Sequence, residues 1–220
     1  MPEPPSPGEI DLWLIELDSA GNRGPDMLSE DEKLRAQKIV HDRDRGRFIA
    51  ARRAIRSILS AYLGEAAESI RFRTGERGKP YLDFPITPLQ FNLSHSCTRA
   101  LLAISSDQAI GVDLERVQSR ASLHRIALKL FDETILNRLA GLPDEAFTEA
   151  FFRHWTALEA RAKAVGEGVF TFRQSRKDIH CANFEPLPGW CAAIATTGIL
   201  LPGNQWRTFL LAPEISREIG

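Results

Sequence analysis

Sulfur is scarce in this sequence, net charge is nearly absent, and no long apolar run occurs. Its three cysteines, Cys97, Cys181 and Cys191, are an odd number without C-x-x-C spacing. That excludes a disulfide framework and reads as reduced thiols in a cytoplasmic protein. A formal net charge of −1 gives no global attraction to nucleic acid or to an anionic membrane, so neither is expected as a partner. No apolar stretch approaches the roughly 20 residues of a spanning helix. The segment Met1 to Gly8 has neither the basic nor the apolar region of a signal peptide and reads as a disordered lead-in over residues 1–8. What remains is a 220-residue chain, 43% hydrophobic, with material for one large domain or two small ones.

Charge is unevenly spread. Nine cations lie between Lys33 and Arg56, among them Arg35, Arg47 and Arg52, and only Asp42 and Asp44 oppose them. A local basic cluster in a near-neutral chain suits a small, multiply phosphorylated ligand; a pair of solvated helix faces would look the same. Residues 10–17 alternate as a strand, and Ser29 with Glu32 forms a capping box that opens a helix. A second helix carries Phe48, Ile55, Ile58, Leu59 and Tyr62 and stops at Gly64. Gly75 to Pro80 reads as a loop. Leu89, Phe91 and Leu93 lead a strand into Ser94-His95. Residues 100–104 and 109–115 read as a hairpin turned by Ser105 to Gln108. Helical patterns follow near 121–140 and 147–165, and strands near 190–196 and 206–211. The order repeats, with a helix stopped by Gly64 in one half and near Gly166 in the other. This predicts an α+β fold of two similar lobes, residues 9–106 and 107–220, in pseudo-twofold arrangement.

Within Ile110-Gly111-Val112-Asp113-Leu114-Glu115, strand alternation puts Asp113 and Glu115 on one face. Two adjacent carboxylates repel unless one takes a proton or a cation joins them. A hard divalent ion is the simplest cure, and Mg²⁺ commonly joins carboxylates to substrate phosphates. About forty residues on, Phe151, Trp155, Leu158, Ala162 and Val165 form a helical stripe, with Glu159 and Lys163 on its shoulder. Glu159 and Lys163 alone would read as an ordinary i,i+4 surface pair.

These segments together resemble the 4′-phosphopantetheinyl transferases of the surfactin-synthetase-activating type, from about Ser29 to Val169. Gly78-Lys79-Pro80 is similar to the family's Gly-Lys-Pro loop, and Phe91 to Ser96 to its Phe-Asn-x-Ser-His-Ser segment. Ile110 to Glu115 is similar to its Gly-x-Asp-x-Glu strand, Trp155 to Lys163 to its Trp-[Thr/Ser]-x-Lys-Glu-x-x-x-Lys helix, and Gly166 to Val169 to the glycines that end that helix. The resemblance implies transfer of 4′-phosphopantetheine from coenzyme A to a serine of an apo acyl, polyketide or peptidyl carrier protein, releasing adenosine 3′,5′-bisphosphate. It implies Mg²⁺, with Mn²⁺ as the alternative ion, on Asp113, Glu115 and Glu159. Glu159, directly or through a metal-bound water, is then the base for the carrier serine, and Lys163 and His95 contact the reacting phosphates. Arg35, Arg47, Arg52, Gly78, Lys79, Pro80, Asn92 and Ser94 join Asp113, Glu159, Lys163 and His95 around coenzyme A. The carrier is expected to dock on 116–150, where Leu123, Ile126, Leu130 and Phe131 are either contacts or core. A monomer is expected. One position departs from the family pattern: Leu158 stands where Lys is usual, and the stripe assigns it to the core. Two other readings use the same residues, a Mg²⁺-dependent nucleotide phosphohydrolase and an impaired paralogue that binds coenzyme A or a carrier without transfer.

Overall fold

The computed structural model describes residues 3–18, 27–76, 78–175 and 179–211. The alternation at the start becomes β1 (Asp11–Glu16). Ser29 and Glu32 close a full capping box on α1 (Glu30–Gln37), satisfying backbone donors that would otherwise be orphaned. The long α2 (Asp42–Leu63) ends at Gly64, whose φ of 68° is the left-handed conformation that glycine adopts without strain. Next come β2 (Arg71–Thr74), β3 (Pro80–Phe84), β4 (Gln90–Ser96), β5 (Arg99–Ser105) and β6 (Ile110–Arg116). The second half continues with α3 (Leu123–Leu130), α4 (Glu133–Leu139), α5 (Asp144–Val165), α6 (Val169–Ser175), β7 (His180–Phe184), β8 (Trp190–Thr196) and β9 (Arg207–Leu211). Like α2, α5 has 22 residues and ends on a left-handed glycine, Gly166. The helical pattern near 121–140 is two helices, divided where Phe131 turns extended and Asp132 caps α4.

One sheet runs β4-β5-β1-β9 and a second runs β6-β8-β7, with β2-β3 as a separate ribbon. The expected hairpin of residues 100–104 and 109–115 does not form. β5 pairs with β4 and β1, whereas β6 pairs with β8, so the two strands lie in different sheets. Strands adjacent in sequence often pair, but here both are apolar on faces that pack against each other instead. Another crossing joins the halves: β9 runs parallel to β1, so the span 107–220 contributes a strand to the first sheet.

Period-two alternation sorts the strands into layers. Trp13 and Ile15 of β1 face α2, together with Leu102 and Ile104 of β5. Ile10 and Leu12, with Leu101 and Ala103, face the other way onto Ile110, Val112 and Leu114 of β6 and Ile194 of β8. Beyond the second sheet, Ala193 and Ala195 meet Ala157, Ala160 and Ala164 of α5. The layers are therefore helix, sheet, sheet, helix, an α+β fold of two similar lobes joined through an apolar sheet–sheet core. A satellite core of α3, α4 and α5 holds Leu123, Leu130 and Phe131, which are buried and so not free to meet a partner. No helix among the described residues is long and apolar enough to cross a membrane.

Candidate active site

β4 and β6 are edge strands of different sheets, and they meet through side chains. Asn92, Ser94 and Ser96 alternate onto one face of β4. Asn92 Oδ1 accepts from the Val112 amide at 2.8 Å, Ser94 Oγ donates to Asp113 Oδ1 at 2.8 Å, and Ser96 Oγ donates to Glu115 Oε2 at 2.8 Å. These bonds do the work of a backbone ladder and fix two carboxylates at the seam between the lobes.

α5 covers the same face of β6. The approach is close because Gly111 has no side chain, and Lys163 reaches the strand. Its Nζ lies 2.6 Å from Asp113 Oδ1 and 3.3 Å from Ser94 Oγ. Glu159, one turn back, has Oε2 4.0 Å from the same ammonium. Trp155 Nε1 donates to Glu115 Oε1 at 3.3 Å. Thus Asp113, Glu159, Lys163 and Ser94 come together as the sequence predicts. Ser96 and Trp155 also hold a predicted residue, although sequence reasoning assigned them no role. Their signal was present in the i, i+2 spacing from Ser94 to Ser96 and in the helix turn from Trp155 to Glu159.

The electrostatics follow from burial and like charge. Burial raises the Glu115 carboxyl above its usual range, and Asp113 adds to the effect against the hydrogen bond from Ser96. Burial likewise raises Glu159, with Asp113 and Glu115 adding repulsion and Lys163 opposing it. Asp113 is itself buried, and its Oδ2 has no hydrogen-bond partner. Among the described residues no three acidic, His or Cys side chains are arranged as a ready metal cage. The positive charge at Asp113 is the Lys163 ammonium.

His95 has an exposed face, yet protein packs on its inner side. That packing, with Lys163 and Arg47 nearby, holds its pKa below the usual value. Lys79 lies in a cleft of about 210 Å³ lined by Gly78, Pro80, Asn92, Lys163, Gly166 and Glu167. Its Nζ donates to the carbonyls of Ile110 at 3.0 Å and Ala164 at 3.1 Å, tying the loop to both β6 and α5. Burial lowers its pKa to about 8.

The cations of α1 and α2 are dispersed. Arg47 makes a forked pair with Asp18, with bonds of 2.5 and 2.7 Å, on the side near His95. Arg35 lies over the Phe48 ring. Arg52 is engaged elsewhere: it pairs with Glu32 and stacks over Phe72, beside the buried Arg56. The charges that act on it are Glu32, Arg56 and Arg35, not the seam carboxylates. Leu158 is partly buried and packs between the satellite core and the α5 core.

The family described as the 4′-phosphopantetheinyl transferase superfamily matches residues 109–195, and the family described as 4′-phosphopantetheinyl transferase, N-terminal, matches residues 23–107. The chain is similar to 4′-phosphopantetheinyl transferase HetI of Nostoc sp., with 39% identity over 77% of this chain and 75% of the relative. It is 31% identical to 4′-phosphopantetheinyl transferase gsp of Aneurinibacillus migulanus, over 74% of this chain and 64% of the relative. It is 30% identical to 4′-phosphopantetheinyl transferase Sfp of Bacillus subtilis, over 64% of this chain and 62% of the relative.

Proposed function

The chain belongs to the 4′-phosphopantetheinyl transferases, and from that premise we propose that it moves 4′-phosphopantetheine from coenzyme A to a serine hydroxyl of an apo carrier protein. The observation that carries this reading is the meeting of Asp113 from β6, Lys163 from α5 and Ser94 from β4 at one point of the seam. Three acidic groups and nearby cations suit a ligand with a diphosphate. In the proposed reaction the serine oxygen bonds to the phosphorus on the pantetheine side. The bond from that phosphorus to the bridging oxygen breaks, and adenosine 3′,5′-bisphosphate leaves. Glu159, on the α5 turn beside Lys163, is the proposed acceptor of the serine proton. Lys163 and His95 donate to phosphate oxygens. Lys79, with Gly78 and Pro80, lines the adjoining cleft, and Arg35 and Arg47 are the proposed outer contacts of coenzyme A. Arg52 can join them only by leaving Glu32.

The chemistry of the donor set, hard carboxylate oxygens, supports a divalent ion here. Asp113 Oδ2 is a buried oxygen without a partner, and Glu115 and Glu159 bring two further carboxyls to the same seam. Asp113, Glu115 and Glu159 would hold Mg²⁺, or Mn²⁺ in its place, and the ion would neutralise charge on the diphosphate. For the carrier we propose α3 as the docking element. Leu128 on it is largely exposed beside Arg125 and Lys129, whereas Leu123, Leu130 and Phe131 are core. We further propose a cytoplasmic monomer, which the three free cysteines and the intramolecular sheet–sheet core support.

The test is to incubate the protein with coenzyme A, Mg²⁺ and several apo carriers and to weigh each carrier intact. A gain of one phosphopantetheine mass is expected, lost with Asp113→Asn. No gain on any acyl, polyketide or peptidyl carrier would refute the reading.

A further inference from the structure

Three carboxylates share the seam, and one ammonium sits among them. Lys163 Nζ is 2.6 Å from Asp113 Oδ1 and 4.0 Å from Glu159 Oε2. The oxygens of Glu115 are held by Ser96 and Trp155. Asp113 is 3% exposed, and among the described residues its ionic partner is Lys163. A buried carboxylate without a counter-charge is costly, so this lysine stabilises the protein in the absence of any metal. Asp113 is also the carboxylate through which a divalent cation would bind, and a cation at its open Oδ2 would stand close to the ammonium already on Oδ1 and be repelled by it.

We infer that Lys163 is the resident counter-ion of the carboxylate cluster, and that a divalent cation at the cluster competes with it for Asp113. The inference rests on the metal reading above and adds to it. Lys163 stabilises the metal-free fold and, by the same contact, weakens metal binding. Such coupling is reciprocal: whatever holds the ammonium on Asp113 opposes the metal to the same extent.

Binding of Mn²⁺ to the protein alone, without coenzyme A or carrier, followed by electron paramagnetic resonance, tests this directly. Wild type is expected to hold one Mn²⁺ at a site that disappears in Asp113→Asn. Lys163→Met is expected to bind Mn²⁺ about tenfold more tightly, the size of one lost charge-assisted hydrogen bond. Lys163→Arg keeps the competing charge and should stay close to wild type. Melting supplies a second readout: Lys163→Met should melt below wild type without metal and gain more than wild type when Mn²⁺ is added. Should the methionine variant fail to fold, Lys163→Gln replaces it in both measurements. An Asp113-dependent site of equal or weaker affinity in Lys163→Met or Lys163→Gln overturns the competition and leaves the transferase reading intact. The absence of any Asp113-dependent Mn²⁺ site overturns the metal assignment and the competition with it, while the carrier mass assay reports on transfer independently.

Discussion

A β-carbon placed on Gly111 would stand 2.1 Å from the carbonyl oxygen of Ala160 and 2.3 Å from the amide nitrogen of Ala164. The strand that carries Asp113 and the helix that carries Glu159 and Lys163 are thus in backbone contact. Neither obstacle is a flexible side chain, so a larger residue must push α5 off the sheet. We predict that Gly111→Ala lowers stability by about 3 kcal/mol in a denaturant titration. It should also lengthen the Lys163–Asp113 contact and reduce transfer. A variant of wild-type stability would contradict this account of the packing.

Asp11 predicts a second large effect. It is fully buried and accepts a forked pair of bonds from Arg207 at 2.6 and 2.7 Å, with the Tyr62 hydroxyl as a further donor. Burial, reinforced by that hydrogen bond, raises the Tyr62 phenol above its usual range. Removing Arg207 strands a carboxylate in the interior. Arg207→Ala is expected to cost about 3 kcal/mol, measured by urea unfolding. Asp11→Asn should recover part of this in the double variant, since an amide tolerates the lost cation better.

Lys79 should titrate apart from the surface lysines. Burial holds its folded pKa at about 8, below the ordinary 10.5. Between these values the unfolded chain binds a proton that the folded chain does not, so the contribution of Lys79 to stability rises with pH across that window. An NMR titration of the lysine ε-carbons should show one midpoint near 8. The stability of wild type relative to Lys79→Met should grow from pH 8 to 10.5. A Lys79 midpoint among those of the exposed lysines would refute the burial argument.

Leu158 stands beside Glu159 but packs into two apolar clusters. Leu158→Lys removes this packing, and its ammonium must extend to solvent along the stem. The expected cost is about 1–2 kcal/mol in thermal or urea unfolding. An unchanged melting temperature would mean that the apolar stem alone replaces the leucine.

Much of the site was legible because its signals are local. The capping box at Ser29 and the left-handed stops at Gly64 and Gly166 are written in neighbouring residues. The alternation in Asp113-x-Glu115 and the turn spacing of Glu159 and Lys163 fixed their faces before any contact was known. What escaped depends on pairing at long range. The cluster around Arg52 gave no sign that Glu32, twenty residues earlier on another helix, pairs with it. β5 and β6 looked like a hairpin because both are apolar runs joined by a polar turn. Strand pattern does not say whether two such runs bond edge to edge or stack face to face, and here they stack. Ser96 fell between these cases: its face was predictable, but its partner across the seam was not.

The parallel pairing of β9 with β1 has a consequence for the order of events during synthesis. The two strands are pinned by a contact between residues 196 apart in the chain. At ordinary translation speed the ribosome needs roughly 10–40 s to deliver the second after the first. During that interval β1 can acquire β5 but not its other neighbour, and it presents an open backbone edge to any passing strand. Among the described strands the first is completed only by the last, so its second edge stays unguarded while everything between them is made.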